Sequence, residues 1–330
     1  MRNRQGMVFC VNARMSDQLR AGDETASRRP SPSPGDSVCA VVVTYRPGPD
    51  VLANLTTFQR QVGRVIVVDN ASTAESRVLL APWLAAHPGA ELVPNPENRG
   101  IATALNQGVD RALAAGFTWV ATFDQDSAIS DGFVAGLLAA YAAHPGRDRI
   151  AVLAPLYRDR GLGRVTSPSG PLAESFGTEN VAVSVTATSG NLVAAPALRA
   201  VGGFEEDFFI DCVDFEFCLR CRRRGWLILE VRQMILDHAQ GRWERRRWLG
   251  RNPAVNDYNA MRRYYQARNR LVVYARYAGF DPRWAGRDAW GYAWDFLKLV
   301  LLCTDRPAKV GAMLAGMRDA CLCRMGPRRR

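Results

Sequence analysis

Along the first half of the chain, short apolar runs alternate with longer segments in which apolar residues recur every three to four positions. Val38-Cys39-Ala40-Val41-Val42-Val43 is apolar without interruption, the pattern of a strand buried on both faces of a parallel sheet. Val65–Val68, Glu91–Val93, Trp119–Phe123 and Ile150–Ala154 read as further strands. Helical periods fill the gaps over residues 50–61, 74–86 and 101–115. This alternation predicts βαβ units and a mostly parallel sheet. Right-handed crossovers then bring Tyr45, Asp69, Asn98 and Asp124 to one sheet edge, the edge at which open α/β sheets bind ligands.

The pattern loosens further on. Residues 158–180 are rich in Gly, Ser and Pro, which predicts a long loop or irregular hairpin able to fold over a ligand. Val181–Thr188 alternates weakly and is expected to be a strand, followed by a short helix at Ala197–Val201, a helix ending near Arg224, and a strand at Trp226–Val231 with His238 beyond it. From Arg242 the character changes. Arg242, Arg245, Arg246, Arg247 and Arg251 cluster with Trp243 and Trp248, and helical patterns follow at 256–278, 284–304 and 306–321. The middle one carries Trp290, Tyr292, Trp294, Phe296 and Leu297 with flanking arginines. Such a helix lies in a membrane interface or packs on the main domain. Three regions result: a disordered N-terminal extension over 1–37, an α/β domain over 38–245, and a helical region over 246–330 that faces a membrane or a partner.

Composition adds bounds. At 330 residues, 48% hydrophobic and 23% charged, the chain can bury a full α/β core and carry an appendage. The net charge of +11 is almost all arginine, since Lys298 and Lys309 are the only lysines. Arginine suits diphosphates and anionic headgroups, although genome composition produces the same bias. A nucleic-acid binder should spread its arginines along one face with aromatics between them. Here they are dense only at 242–251, and the acidic stretch at 205–216 would repel phosphates. The cysteines show no disulfide framework, and Cys218-x-x-Cys221 falls in a helical pattern without a second pair, so reduced thiols of a cytoplasmic protein are expected. No apolar run reaches membrane-spanning length, and residues 1–37 lack the apolar segment of a signal peptide. A G-x-G-x-x-G fingerprint does not follow the first strand, which argues against a dinucleotide domain.

The chemistry centres on Phe123-Asp124-Gln125-Asp126-Ser127, two carboxylates one residue apart just past a strand end. Such a pair can share one divalent cation with substrate phosphates; the competing reading is a solvated turn before the helix near Asp131. Asp211, Asp214 and Glu216 open a helix, where acidic residues suit the macrodipole and where a base can be mounted rigidly. A nucleotidyltransferase would also use an aspartate pair with Mg²⁺, but it wants an early Gly-rich basic loop, and none follows Val43.

Taken together, several segments resemble family 2 glycosyltransferases of the GT-A fold, and more narrowly their bacterial dTDP-rhamnosyltransferase branch. The segments are Val42-Val43-Thr44-Tyr45, Val67-Val68-Asp69-Asn70-Ala71-Ser72, Asn98-Arg99-Gly100-Ile101-Ala102 with Asn106, the Asp124-Gln125-Asp126 loop, Gly202-Gly203-Phe204, Phe208–Arg220, and Tyr264-Tyr265 with Arg268-Asn269. The resemblance implies a nucleotide-sugar domain with a C-terminal helical extension. It implies an inverting transferase dependent on Mg²⁺ or Mn²⁺ that moves L-rhamnose from dTDP-L-rhamnose to a lipid-linked or polysaccharide hydroxyl in cell-surface glycan synthesis. Another dTDP- or UDP-sugar donor is the alternative. It further implies that Thr44, Tyr45, Asp69, Asn98, Gly100, Asn106 and Asp124 bind the nucleotide-sugar. Asp124, Asp126 and His238 would hold the metal, and Asp214 would be the catalytic base. Many family members carry Glu-Asp at the last point, where Val213 here replaces the Glu. The implied location is the inner face of the plasma membrane, in peripheral contact with anionic lipid, with no nucleic-acid partner.

Overall fold

A computed structural model describes residues 34–161, 163–169, 177, 179–238, 243–246 and 252–328. Residues 1–33 of the expected N-terminal extension, part of the 158–180 loop, Arg242, Arg247, Arg251 and Trp248 of the arginine cluster, and the last two arginines lie outside the described residues.

Strands β1 (Val38–Thr44), β2 (Arg64–Asn70), β3 (Glu91–Asn95) and β4 (Trp119–Asp124) run parallel in the order β3-β2-β1-β4. The helices α1 (Val51–Gln59), α2 (Ala74–Ala86) and α3 (Ile101–Ala114) connect them, as the alternating pattern predicts. Every residue of β1 is buried, which explains its unbroken apolar run. On α3, a Cβ at Gly108 would lie 2.3 Å from Val41 Cγ1, so this glycine lets the helix sit directly on β1. The ladder sets Thr44 beside Asp69 and Val43 beside Asp124, which fixes the three strand ends at one edge.

After α4 (Phe133–Ala143), β5 (Ile150–Asp159) pairs with the short β6 (Arg164–Thr166). Of the strand expected over 181–188, only β7 (Val181–Ala182) joins the sheet. The strand beside β4 is instead β8 (Asn191–Ala194), antiparallel to both β4 and β5. All four β8 residues are buried, and the chain passes without a break into α5 (Ala195–Val201), so no alternation marks it. Helix α6 (Val213–Arg223) then leads to β9 (Leu227–His238), which continues past Val231 to His238. A register shift accommodates this, with Pro155 paired to Val231 but Leu156 to Ile235. The polar Arg232-Gln233 in that bulge interrupts the apolar run and hides the continuation. Among the described residues the sheet has nine strands, β3-β2-β1-β4-β8-β5-β9-β7 with β6 attached to β5.

A two-stranded ribbon, β10 (Trp243–Arg245) and β11 (Ala254–Asn256), precedes α7 (Ala260–Tyr277), α8 (Pro282–Leu302) and α9 (Arg306–Cys321). The buried side of α7 is polar: Arg263, Arg268 and Asn269 are among its least exposed residues. Asn269 Nδ2 donates to the carbonyls of Phe208, Ile210 and Asp211 at 2.8–2.9 Å, and Arg268 to those of Asp207 and Phe208. These bonds satisfy loop carbonyls that burial would otherwise leave unpaired. Helix α8 joins α7 through Arg270–Asp288 and Arg263–Asp295 ion pairs. No described helix is long and apolar enough to cross a membrane.

Candidate active site

The strand-end edge opens into a cavity of about 790 Å³, lined on one side by Asp124, Asp126, Ser189 and His238 and on the other by α6, α7 and α8. Asp124 ends β4 and Asp126 follows in the turn. His238 reaches them across 111 residues of sequence from Ser127, because Ala128 and Asp237 exchange backbone hydrogen bonds of 2.9 and 3.0 Å. His238 Nε2 lies 3.6 Å from Asp124 Oδ2, and its Nδ1 lies 3.3 Å from Asp126 Oδ1. Behind them, Ser189 Oγ accepts from the Asp124 amide (3.0 Å) and sits 2.6 Å from Ser127 Oγ, which is 3.4 Å from His238 Nδ1.

One ligand atom from each of Asp124, Asp126 and His238 falls within 4.8 Å of the other two, the one such group among the described residues. The electrostatics fit a cation there. Burial pushes the Asp124 carboxyl above its ordinary value, and Asp126 adds to this, while His238 and Arg262 oppose it. Burial lowers His238, but its hydrogen bond to Asp126 and the charge of Asp124 outweigh that and raise it. Two carboxylates and one imidazole form a donor set suited to Mn²⁺ or Mg²⁺.

Thr44, Tyr45, Asp69, Asn98 and Gly100 are not among the residues lining this cavity; Asp69, beside Thr44 at the end of β2, is fully buried. Its Oδ1 accepts from Thr44 Oγ1 (3.3 Å), whereas Oδ2 has no hydrogen-bond partner and lies 3.7 Å from Arg77 Nε. A buried carboxylate oxygen in that state is an open acceptor for an N–H donor. Tyr45 is partly exposed; its amide donates to Gln125 Oε1 (2.8 Å), so the residue between the two aspartates fixes the β1 turn. Asn70 Nδ2 donates to Asn98 Oδ1 (3.0 Å), which also accepts from the Gly100 amide (2.9 Å). Gly100 has φ +85°, and a Cβ there would lie 2.5 Å from the Phe209 carbonyl, so only glycine suits this approach. Asn106 faces away from the cavity: it donates to Phe204 O (2.9 Å) and accepts from the Phe204 amide (2.7 Å).

The segment before α6 is strained, with Phe209, Asp211 and Cys212 all at φ between 61° and 65°. It presents Asp214 in the first turn of α6, at the cavity wall. Burial raises the Asp214 carboxyl to about 7, against hydrogen bonding from the Phe215 amide (2.9 Å) and with help from Asp211. The neighbouring acids are already engaged. Asp211 pairs with Arg262 (2.9 Å), Glu216 with Arg220 and the Tyr277 hydroxyl, and Glu205 with Arg276. Three of the six acids in the 205–216 stretch are thus held by arginines. Of the cavity-lining acids on this side, Asp211, Asp288 and Asp295 are held by arginines, whereas Asp214 forms no ion pair among the described residues.

Two features escape the sequence reading. Arg262 is visible only as a basic residue in a helical pattern; its partner Asp211 is 51 residues away. The α8 side of the cavity, with Trp284, Asp288, Tyr292 and Asp295, gives no motif, because its residues reach the cleft through helix packing.

The comparisons with known proteins agree with this architecture. The family model Glycosyl transferase family 2 matches residues 39–177. The chain is 30% identical over 247 residues to the dTDP-rhamnosyl transferase RfbF of Shigella flexneri, covering 72% of this chain and 79% of that protein. It is 28% identical over 257 residues to an N-acetylglucosaminyl-diphospho-decaprenol L-rhamnosyltransferase of Mycobacterium tuberculosis, covering 66% of this chain and 80% of that one. The mannosyltransferase PcManGT from Pyrobaculum calidifontis, solved with GDP-Man and Mn²⁺, shares the fold at TM-score 0.52 and 17% identity, over 87% of this chain and 77% of that one. The strand-end cleft and these relatives together establish that the chain belongs to glycosyltransferase family 2, resembles its rhamnosyltransferase branch, and is a glycosyltransferase.

Proposed function

We propose that the protein transfers L-rhamnose from dTDP-L-rhamnose, with inversion, to a hydroxyl of a lipid-linked or polysaccharide acceptor, in contact with the anionic inner face of the plasma membrane. Residues 38–245 form the donor-binding domain in this reading and 246–330 the acceptor- and membrane-facing part. The observation that carries it is the Asp124–Asp126–His238 cluster on one side of a cavity whose other side holds the unpaired Asp214. Supporting the donor are the rhamnosyltransferase relatives and the open Oδ2 of Asp69, an acceptor for the imide N–H of a thymine or uracil base.

Asp69, with Thr44 and the Tyr45 backbone, orients the nucleobase. Asp124 lies toward the ribose and diphosphate. Asn98, Gly100 and Asn106 serve donor binding by fixing the 98–101 and 204–209 segments against each other. Asp124, Asp126 and His238 would hold a divalent cation, which would supply positive charge to offset that gathering on the departing diphosphate. Asp214 accepts the proton of the acceptor hydroxyl as its oxygen bonds to the anomeric carbon and the bond from that carbon to the diphosphate oxygen breaks. A carboxyl held near 7 is matched to that task at neutral pH. Attack opposite the leaving group inverts the anomeric centre through an oxocarbenium-like state.

Thermal-shift titration with dTDP, UDP and GDP, each with and without Mn²⁺, tests this without knowledge of the acceptor. Stabilisation by dTDP that requires Mn²⁺ is the expected result, and preference for UDP would reassign the donor. Indifference to every nucleotide would contradict the reading.

A further inference from the structure

Helix α8 serves two environments. On its inner side Asp288 and Asp295 are bound to Arg270 and Arg263, and Trp284 lines the cavity. On its outer side Trp290, Trp294, Leu297 and Leu301 follow at intervals of four, three and four residues, which at about 3.6 residues per turn places them in one line. Trp290 is 77% exposed and Trp294 53%. Beside this line, at the same helical spacing, stand Arg283, Arg287 and Lys298, none of which forms an ion pair among the described residues. Both acidic residues of α8 belong to its inner side, so the outer face offers apolar and cationic groups alone. Next to it an apolar groove of about 270 Å³ between α8 and α9 continues the surface through Phe296 and Leu314.

We propose that this face of α8 is the membrane-docking surface and that it seats the protein on anionic lipid with the mouth of the catalytic cavity at headgroup level. The proposal rests on the membrane contact in the functional reading above and names the surface that makes it. Tryptophans favour the boundary between headgroups and acyl chains, where the indole buries its rings and keeps its N–H hydrated. Arginine and lysine beside them meet anionic headgroups while their stems cover apolar surface. A second copy of the chain is a poorer occupant, because a two-fold interface would oppose cationic faces with no acid to answer them. The orientation follows from Arg287, which stands at the cavity mouth and beside the exposed line together. A lipid-linked acceptor would then present its sugar to the cavity while its chain stays in the bilayer.

The test is flotation of the full chain with vesicles of phosphatidylcholine alone and of phosphatidylcholine with phosphatidylglycerol, for the wild type and for the combined variant Trp290→Ser, Trp294→Ser, Leu297→Ser. Wild-type protein is expected to float with the anionic vesicles and to be released by salt. The variant should bind at least about tenfold more weakly while its melting temperature and nucleotide response stay unchanged. A variant that floats like wild type, or a wild type that ignores anionic vesicles, overturns the proposal. So does a wild-type dimer that the substitutions dissolve without any lipid binding. Nucleotide stabilisation is read separately, so a chain that floats but binds no nucleotide fails the transferase reading and leaves the docking surface standing.

Discussion

On the wall that carries Asp124, Asp126 and His238, the groups that face the cleft come from the end of β4, the turn after it and the end of β9, and backbone pairing of Val43 with Asp124 and of Ala128 with Asp237 sets their spacing. On the wall formed by α6, α7 and α8, the corresponding groups are held by single side chains that bridge long stretches of sequence. Arg262 reaches Asp211 across 51 residues, and Asn269 reaches the Phe208 carbonyl across 61. The first wall rests on backbone pairing, to which side-chain bonds such as Tyr45 N–H to Gln125 Oε1 are added. The second owes its geometry to a few polar contacts, and the strained 209–212 segment depends on them. In the proposed reading the donor chemistry falls on the first wall and the base on the second.

Substitutions can break this comparison in order of severity. Asp126→Ala removes one of the three groups proposed to hold the cation and should lower transfer by about a thousandfold, with loss of the Mn²⁺-dependent nucleotide shift. Unchanged titration with Mn²⁺ would contradict that role. Next comes pH. As the proposed base Asp214 would act only when deprotonated, and its carboxyl is raised to about 7, so kcat/KM should fall about tenfold for each pH unit below that point. A profile flat from pH 5 to 8, read against the group's ordinary value, would assign the base elsewhere. Asn269→Ala strips the Ile210 and Asp211 carbonyls of their side-chain donor, while Arg268 still serves Phe208, and should cost about 1–3 kcal/mol of stability. If the second wall is set by such contacts, kcat should also drop about tenfold while the KM for donor holds; a KM effect without a kcat effect would merge the two walls. Smallest is Asp69→Asn, which keeps the shape but replaces one acceptor oxygen with a donor. A weakening of dTDP binding by about five- to tenfold is expected, and unaltered affinity would remove Asp69 from the nucleobase pocket.

The same contrast explains what was legible beforehand. The parallel arm could be read because buried strands leave unbroken apolar runs and the chemistry falls just after them, as at Val67-Val68-Asp69 and Thr122-Phe123-Asp124. β8 could not, since four buried residues running into an alanine-rich helix carry no period. His238 was visible as a residue but not as the end of a strand, because the bulge at 232–234 inserts polar residues into β9. The α8 wall was invisible for a different reason: which face of an amphipathic helix meets the cleft is decided by its partners, and those are the distant Arg263 and Arg270.

The central claim, a base on one wall acting on a donor held by the other, is tested most directly by measuring dTDP-L-rhamnose binding and single-turnover transfer side by side in Asp214→Asn. Donor affinity equal to wild type, with transfer reduced to background, is the predicted result. Transfer near the wild-type rate, or donor binding lost along with transfer, would contradict the division between the two walls.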